Sequence, residues 1–322
     1  MFHSQDTMGI INAKAFEPGL RHRQLVAAAQ KFPPIRTAVV HPCDDISLAG
    51  AFEARDEKLI VPVLVGPVAK IRKAADQARL SLDGIDIVDA PHSHAAAEKA
   101  VELARAGSLD ALMKGALHTD ELMAAVVKPD TGLRTERRVS HVFVLDVPNY
   151  SKPLLVTDAA INIYPNLDDK RDIVQSAIDL AKALGVGTPK VAILSAAETV
   201  NSKIISTIDA AALCKMADRG QITGGILDGP LAFDNAVSKE AAEAKNIVSP
   251  VAGEADILVV PDLEAGNMLA KQLVYFARAE AAGIVLGTRV PIMLTSRADG
   301  SLARIASCAV AQLFVHRTRA PV

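Results

Sequence analysis

The chain alternates between short apolar runs rich in β-branched residues and longer, Ala-rich segments that also carry polar residues. Ten short runs are predicted to be strands, and most are apolar throughout instead of alternating with polar positions. Continuous apolar character is typical of strands that are buried on both faces of a parallel sheet. The predicted strands cover residues 36–40, 61–65, 85–88, 111–113, 140–146, 153–157, 190–194, 225–227, 257–260 and 292–295.

Helical segments lie between these runs, at 44–57, 94–106, 168–183, 263–280 and 301–313. The segment 168–183 opens with two acidic residues and ends just before Gly185, which are suitable start and stop signals for a helix. Strands that alternate with helices in this way predict a doubly wound α/β architecture.

Length predicts more than one domain, because 322 residues correspond to two domains at about 150 residues each. Pro, Asn and Ser cluster at residues 148–153, with the sequence PNYSKP, between two predicted strands. Such a cluster is typical of a connection between units. A second boundary is expected near residues 287–291.

Composition excludes several classes of function. The 35 basic and 37 acidic residues give a net charge of −2, and aromatic residues make up only 3% of the chain. A nucleic-acid binder is therefore not expected, since that class needs basic surfaces or aromatic stacking platforms. The three cysteines are widely spaced, which favours a reducing, cytoplasmic compartment, and no metal-binding spacing is present, so no metal is expected. The sequence shows neither a signal peptide nor an apolar run of about 20 residues, so a soluble protein is expected.

Polar residues follow four of the predicted strands, where open parallel sheets bind their ligands. Each group has a simple alternative explanation as a turn or a helix cap. Because all four groups are expected at strand ends, together they predict a binding cleft. The groups are Lys114-Gly115, Asp228 with the residues up to Asn235, the stretch 261–267 with Glu264 and Asn267, and Ser296-Arg297 with Asp299.

The cleft is predicted to take an anion. Ser296 and Arg297 precede a predicted helix, whose free N–H groups favour phosphate, and arginine offers a bidentate fork to phosphate oxygens. The segment 132–138 adds Arg134 and two further arginines, with a solvated loop as the alternative explanation. Dinucleotide and P-loop motifs are missing, and no serine or cysteine lies in a nucleophile motif.

Long blocks of the chain resemble the phosphate acetyltransferase and phosphate butyryltransferase family. The blocks are GILDGPLAFDN at 225–235, VAGEADILVVPDLEAGN at 251–267 and PIMLTSRAD at 291–299. The resemblance runs from about residue 36 to the end, and LMKG, GLRT and VSHVF are most similar to the butyryl branch. It implies a reversible reaction in which acyl-CoA and inorganic phosphate give acyl phosphate and CoA.

The same resemblance implies two α/β domains with the active site in the cleft between them, and a homodimer. By analogy with isocitrate-type dehydrogenases, the first domain is expected at 1–149 plus 290–322, with an inserted domain at 150–289. No permanently bound cofactor is expected, since CoA is a substrate.

The resemblance also assigns candidate residues. Ser296 and Arg297 match the family's Ser-Arg pair, but the acid expected seven positions after the serine is Ala303 here, so Asp299 is the candidate base. No arginine follows GALHT closely, so Arg134 is the candidate for that role in binding phosphate. The remaining candidates for substrate binding are Lys114, Gly115, Asp228, Asn235, Glu264 and Asn267.

Two other functions stay open at this point. One is a non-catalytic module that binds acyl-CoA. The other is a metal- and dinucleotide-dependent dehydrogenase that uses Asp228, Asp262 and Glu264 as metal ligands.

Overall fold

A computed structural model describes residues 19–294 and 300–318 of the chain. These residues form an α/β fold around one sheet of eleven strands, in the order β3-β2-β1-β4-β11-β10-β5-β6-β9-β7-β8. The strands are β1 Ile35–Val40, β2 Ile60–Gly66, β3 Asp86–Asp89, β4 Ala111–Lys114, β5 Ser140–Asp146, β6 Leu154–Thr157, β7 Lys190–Leu194, β8 Ile226–Leu231, β9 Ile257–Val259, β10 Glu280–Leu286 and β11 Ile292–Met293.

Helices connect the strands and cover the sheet. They are α1 Leu20–Ala29, α2 Asp45–Asp56, α3 Val68–Ala78, α4 Ser93–Arg105, α5 Thr119–Val126, α6 Leu167–Ala183, α7 Ile205–Asp218, α8 Phe233–Val237, α9 Lys239–Ala244, α10 Leu263–Tyr275 and α11 Ser301–Thr318. The α/β architecture predicted from the sequence is thus confirmed.

The sheet is mixed, and its direction reverses at the centre. We call β1, β2, β3, β4 and β11 the first half of the sheet, in which the strands are parallel. We call β6, β7, β8 and β9 the second half, which is also parallel. Between the halves, β10 is antiparallel to both β11 and β5, and β5 is antiparallel to β6. The expectation of a parallel sheet therefore holds within each half and is wrong at the centre.

Alternating side chains divide the hydrophobic core between the two faces. On one face, a single cluster runs under both halves and includes Met113, Val142, Ile284 and Val191. The other face carries two separate clusters. One surrounds Leu112 of the first half and extends to Val285 on β10, and the other surrounds Leu258 of the second half and extends to Leu145 on β5. The two clusters meet over β10 and β5, so this face has a boundary where the halves join.

Two local expectations are corrected. The predicted helix 263–280 ends at Tyr275, and residues 280–286 form the central strand β10, which the Ala-rich sequence EAAGIVL did not reveal. The predicted strand 225–227 extends to Leu231, because Asp228 pairs with Ala192 of β7 in the sheet. Asp228 therefore lies within a strand and not in a turn after it.

Candidate active site

The loop after β4 lies against the end of β1 at the edge where strands of the first half finish. The Gly115 N–H donates to the Val40 carbonyl at 2.9 Å, and the Ala116 N–H donates to the His41 carbonyl at the same distance. A Cβ atom on Gly115 would lie 2.5 Å from the Val40 oxygen and 2.8 Å from the His41 oxygen. Only glycine allows this close approach of two backbones.

Lys114 closes the same loop from within. Its Nζ atom donates to the carbonyls of Gly115 and Leu117, both at 3.2 Å. Strand β11 runs parallel to β4 and finishes beside it at Met293. The chain therefore enters residues 295–299 from the edge that holds Lys114. The sequence-predicted residues Ser296, Arg297 and Asp299 lie outside the described residues.

Glu121 joins the starts of two helices at this edge. Its carboxylate accepts hydrogen bonds from the His118 N–H and the Ser93 hydroxyl, both at 3.0 Å, and lies 3.3 Å from Nδ1 of His94. These bonds, above all that from the His118 N–H, hold the pKa of Glu121 below its usual range. Sequence reasoning missed this group, although the acidic residue three positions after His118 is a capping signal.

A buried carboxylate organises the opposite edge, where strands of the second half finish. Asp158 follows β6 directly and is only 3% exposed. It accepts hydrogen bonds from the backbone N–H groups of Ala160, Ile161 and Asn162, at 2.9 to 3.1 Å. Burial raises the pKa of Asp158, and these bonds oppose that shift. The carboxylate thus winds the chain into a tight loop.

Asn162 ties this loop to the start of β5. Its Nδ2 donates to the Val139 carbonyl at 2.9 Å, and its Oδ1 accepts from Nε of Arg138 at 2.6 Å. The predicted residue Asn267, on α10, donates to the Ala159 carbonyl at 3.2 Å. Asn267 therefore supports the backbone of the loop.

Arg134 lies at a different edge from Lys114. It forms a β-bridge with Thr288, which precedes β11, whereas Lys114 lies beside the finish of that strand. Thr288 precedes the first residue of β11 by four positions, whereas Lys114 follows Met113, which pairs with the last residue of that strand. Arg134 and Lys114 therefore lie at opposite ends of the segment that contains β11.

Three other predicted residues are dispersed over the second half. Asp228, within β8, accepts from the Gly229 N–H, and Asn235 is fully buried and donates to Glu198 at 2.5 Å. Glu264 is exposed in the first turn of α10, and Asp262 caps that helix by accepting from the Ala265 N–H. Asp262 thus has the simple capping role considered from the sequence.

The cysteines are free thiols in apolar surroundings. Burial raises the pKa of Cys43 to about 11 and those of Cys214 and Cys308 to about 12. Each thiol is therefore protonated at neutral pH and is a poor nucleophile.

Residues 19–294 and 300–318 contain no cluster of three or more His, Cys, Asp or Glu side chains arranged to hold a metal ion. Within the same ranges, no helix combines the length and apolar character that crossing a bilayer requires.

Fold and site together define a two-part α/β protein with polar loops at both edges of a mixed sheet. The family model described as "phosphate acetyl/butaryl transferase" matches residues 93–311, about two-thirds of the chain. This range contains the Lys114 loop, the Asp158 loop and the Ser296-Arg297 pair. The chain belongs to the phosphate acetyl/butyryl transferase family.

Individual relatives agree with this assignment. Phosphate acetyltransferase of Rhizobium meliloti is 64% identical over 93% of this chain and 95% of its own length. Phosphate butyryltransferase of Clostridium beijerinckii is 39% identical over 92% of this chain and 98% of its own. Identity is thus higher with this acetyl member than with this butyryl member.

Solved structures share the fold. A branched-chain phosphotransacylase from Enterococcus faecalis V583 matches with a TM-score of 0.76 and 31% identity, over 88% of this chain and 99% of its own. A 4-hydroxythreonine-4-phosphate dehydrogenase from Klebsiella pneumoniae matches with a TM-score of 0.54 and 13% identity, over 88% and 99% of the two chains. The second likeness concerns the fold alone and fits the expected dehydrogenase-like plan.

The contact between Gly115 and β1 makes a direct prediction. In Gly115→Ala the new methyl group would overlap two backbone oxygens, so we expect a loss of about 1–3 kcal/mol in the free energy of unfolding. Urea denaturation measures this change. Gly187→Ala is the matched control, because a Cβ atom there meets no atom within 4 Å. Equal stability of the two variants would contradict the account of this loop.

Proposed function

We propose that this phosphate acyltransferase catalyses the reversible reaction of acyl-CoA with inorganic phosphate, which gives acyl phosphate and CoA. The observation that carries the proposal is the 64% identity to a phosphate acetyltransferase over 93% of the chain. The reaction makes acyl-CoA and phosphate the partners of the protein. We therefore prefer an acyltransferase to the two alternatives, a non-catalytic module that binds acyl-CoA and a dehydrogenase.

In the direction of acyl-CoA synthesis, the CoA thiolate attacks the carbonyl carbon of acyl phosphate directly. A C–S bond forms, the bond between the carbonyl carbon and the bridging oxygen breaks, and phosphate leaves with that electron pair. The three protonated cysteines support a reaction without an acyl-cysteine intermediate. Asp299 takes the thiol proton in this scheme.

In this proposal Arg297 binds the phosphate group, and Ser296 donates a hydrogen bond to phosphate or to the developing oxyanion. Lys114 and Gly115 support this assignment by their position beside the finish of β11. Arg134, which pairs with Thr288 before the start of β11, is the second candidate for binding phosphate.

We expect acetyl-CoA to be the better substrate. The higher identity to an acetyl than to a butyryl member supports this preference. The measurement is phosphate-dependent release of CoA from acetyl-CoA and butyryl-CoA, side by side, at equal enzyme concentration. One methylene in an apolar pocket changes kcat/KM by about 10- to 200-fold, so the kcat/KM values for acetyl-CoA and butyryl-CoA are readily distinguished. Release from neither substrate would contradict the proposed reaction itself.

Arg297→Ala is expected to lower kcat by about 10²–10³, as removal of a donor that stabilises transition-state charge does elsewhere. Arg297→Lys keeps the charge but loses the bidentate fork, so we expect an intermediate rate. Arg171→Ala serves as control, because that partly exposed side chain forms ion pairs with Asp168 and Asp172 of its own helix. An Arg297→Ala rate within threefold of the unaltered protein would remove this residue from the mechanism.

We further propose a homodimer, a cytoplasmic location and the two domains expected from the sequence, 1–149 plus 290–322 and 150–289. Free cysteines support a reducing compartment. Large apolar side chains on two helices of the second half support the dimer, since Ile205 is 65% exposed, Tyr275 74% and Phe276 87%. Exposed apolar groups of this size commonly mark interfaces.

Light scattering is expected to give twice the mass of one chain. The variants Ile205→Lys with Ile208→Lys, and Tyr275→Lys with Phe276→Lys, place charges on α7 and at the end of α10 respectively. We expect one pair to give monomers, because an unpaired charge is poorly tolerated in an interface core. A monomeric unaltered protein at micromolar concentration would refute the dimer.

A further inference from the structure

His141 is a buried histidine at the boundary between the two halves of the sheet. It lies on β5, on the same face as Phe143 and Leu145, which belong to the core cluster of the second half. Its cross-strand neighbour Val285 belongs to the cluster of the first half. Only 2% of His141 is exposed, and its ring packs edge-on against Phe143 with centroids 4.4 Å apart.

The imidazole extends across β10 at Gly283. Nε2 of His141 lies 2.8 Å from the position that a Cβ on Gly283 would take, so any other residue would displace the ring. Strand β11 is the next strand beyond β10, and Val285 pairs there with Ile292. The ring is therefore directed from β5 towards the finish of β11, the edge that Lys114 shares.

The imidazole is neutral, and its proton is best placed on Nε2. Burial lowers the pKa of His141 to about 4, so the ring carries no charge at neutral pH. Nδ1 is buried and has no hydrogen-bond partner among the described residues. Nε2, unlike Nδ1, is not among the fully buried nitrogens that lack a partner, so a proton is less costly there than on Nδ1.

We propose that His141 donates a hydrogen bond from Nε2 to the acyl carbonyl oxygen of the substrate. This role rests on the acyltransfer proposed above. Attack by sulfur moves charge onto that oxygen, and a fixed donor stabilises it most strongly where water is excluded. A neutral donor suits a carbonyl, whereas the phosphate group is better matched by arginine.

The low exposure of the ring has a consequence for binding. Substrate must uncover Nε2 when it enters, because the imidazole is almost fully covered without it. The donor then operates in a dry setting, where a hydrogen bond is worth more than in water.

His141→Phe and His141→Gln test the proposal. Phenylalanine fills the space without a donor, so we expect kcat to fall by about 10²–10³ with little change in the KM for phosphate. Glutamine carries an amide donor, so we expect the kcat of His141→Gln to be at least tenfold higher than that of His141→Phe. His22→Phe is the matched control, since His22 is 1% exposed and neither ring nitrogen has a partner among the described residues.

The outcomes separate a catalytic from a packing role. If His141→Phe keeps its kcat within threefold, or if Gln loses as much kcat as Phe at equal melting temperature, the donor role is overturned. Phosphate-dependent CoA release by the unaltered protein is measured in the same series, so failure of the overall reaction would be seen separately.

A second readout does not depend on turnover. With ¹⁵N-labelled histidine, the spectrum of the free protein should show a neutral imidazole with its proton on Nε2. Acetyl phosphate should shift the His141 signal, identified by its loss in His141→Phe, and should leave the His22 signal in place. A charged ring, or no shift at a saturating concentration, would refute the contact.

Discussion

The reversal of strand direction at the centre of the sheet is the constraint on which the rest of the structure depends. Because three successive antiparallel pairings, β11 with β10, β10 with β5 and β5 with β6, lie between them, the two halves of the sheet point in opposite directions. Strands of the first half finish at one edge, with Lys114 and Gly115, and strands of the second half finish at the other, with Asp158. A ligand that contacts both sets of loops must therefore extend along the face of the sheet.

Asp158 and Gly115 fix the loops at these two edges by opposite means. The Asp158 carboxylate gathers three backbone N–H groups and so shapes its loop through hydrogen bonds. Gly115 acts through the absence of a side chain, which lets the backbone after β4 bond to β1. Both devices hold polar groups in place before substrate arrives, which limits the ordering cost of binding.

The sequence was sufficient to predict most strands, because a continuous apolar run such as residues 257–260 is conspicuous and short. It failed at β10, where Glu280, Ala281 and Ala282 continue the Ala-rich composition of the preceding helix. Helical geometry extends to Phe276, and the positive φ of 55° at Arg278 then turns the chain out of the helix. Composition does not reveal such a backbone conformation. Asp228 was misplaced for a related reason, since Gly and Pro after it resemble a turn although β7 pairs with this segment.

The site was less predictable than the fold. Polar residues at strand ends were expected to converge, but that inference requires every strand to run the same way. The antiparallel centre places Lys114, after β4, and residues 261–267, after β9, at opposite edges of the sheet. His141 was not among the predicted site residues, because its surroundings come from residues distant in the sequence. Gly283 lies 142 positions beyond His141, so the space that it leaves for the ring is visible only in three dimensions.

The proline in β8 has a consequence for how copies of the chain can meet. Strand β8 is an outer strand of the sheet, and the pairing register shifts beside its Gly229-Pro230 step. A bulge and a residue without an N–H both impede the addition of a further strand. The other outer strand, β3, carries Asp86 and Asp89 at its two ends. Both margins of the sheet thus resist extension by another molecule, so the protein is protected against growth into larger β-assemblies.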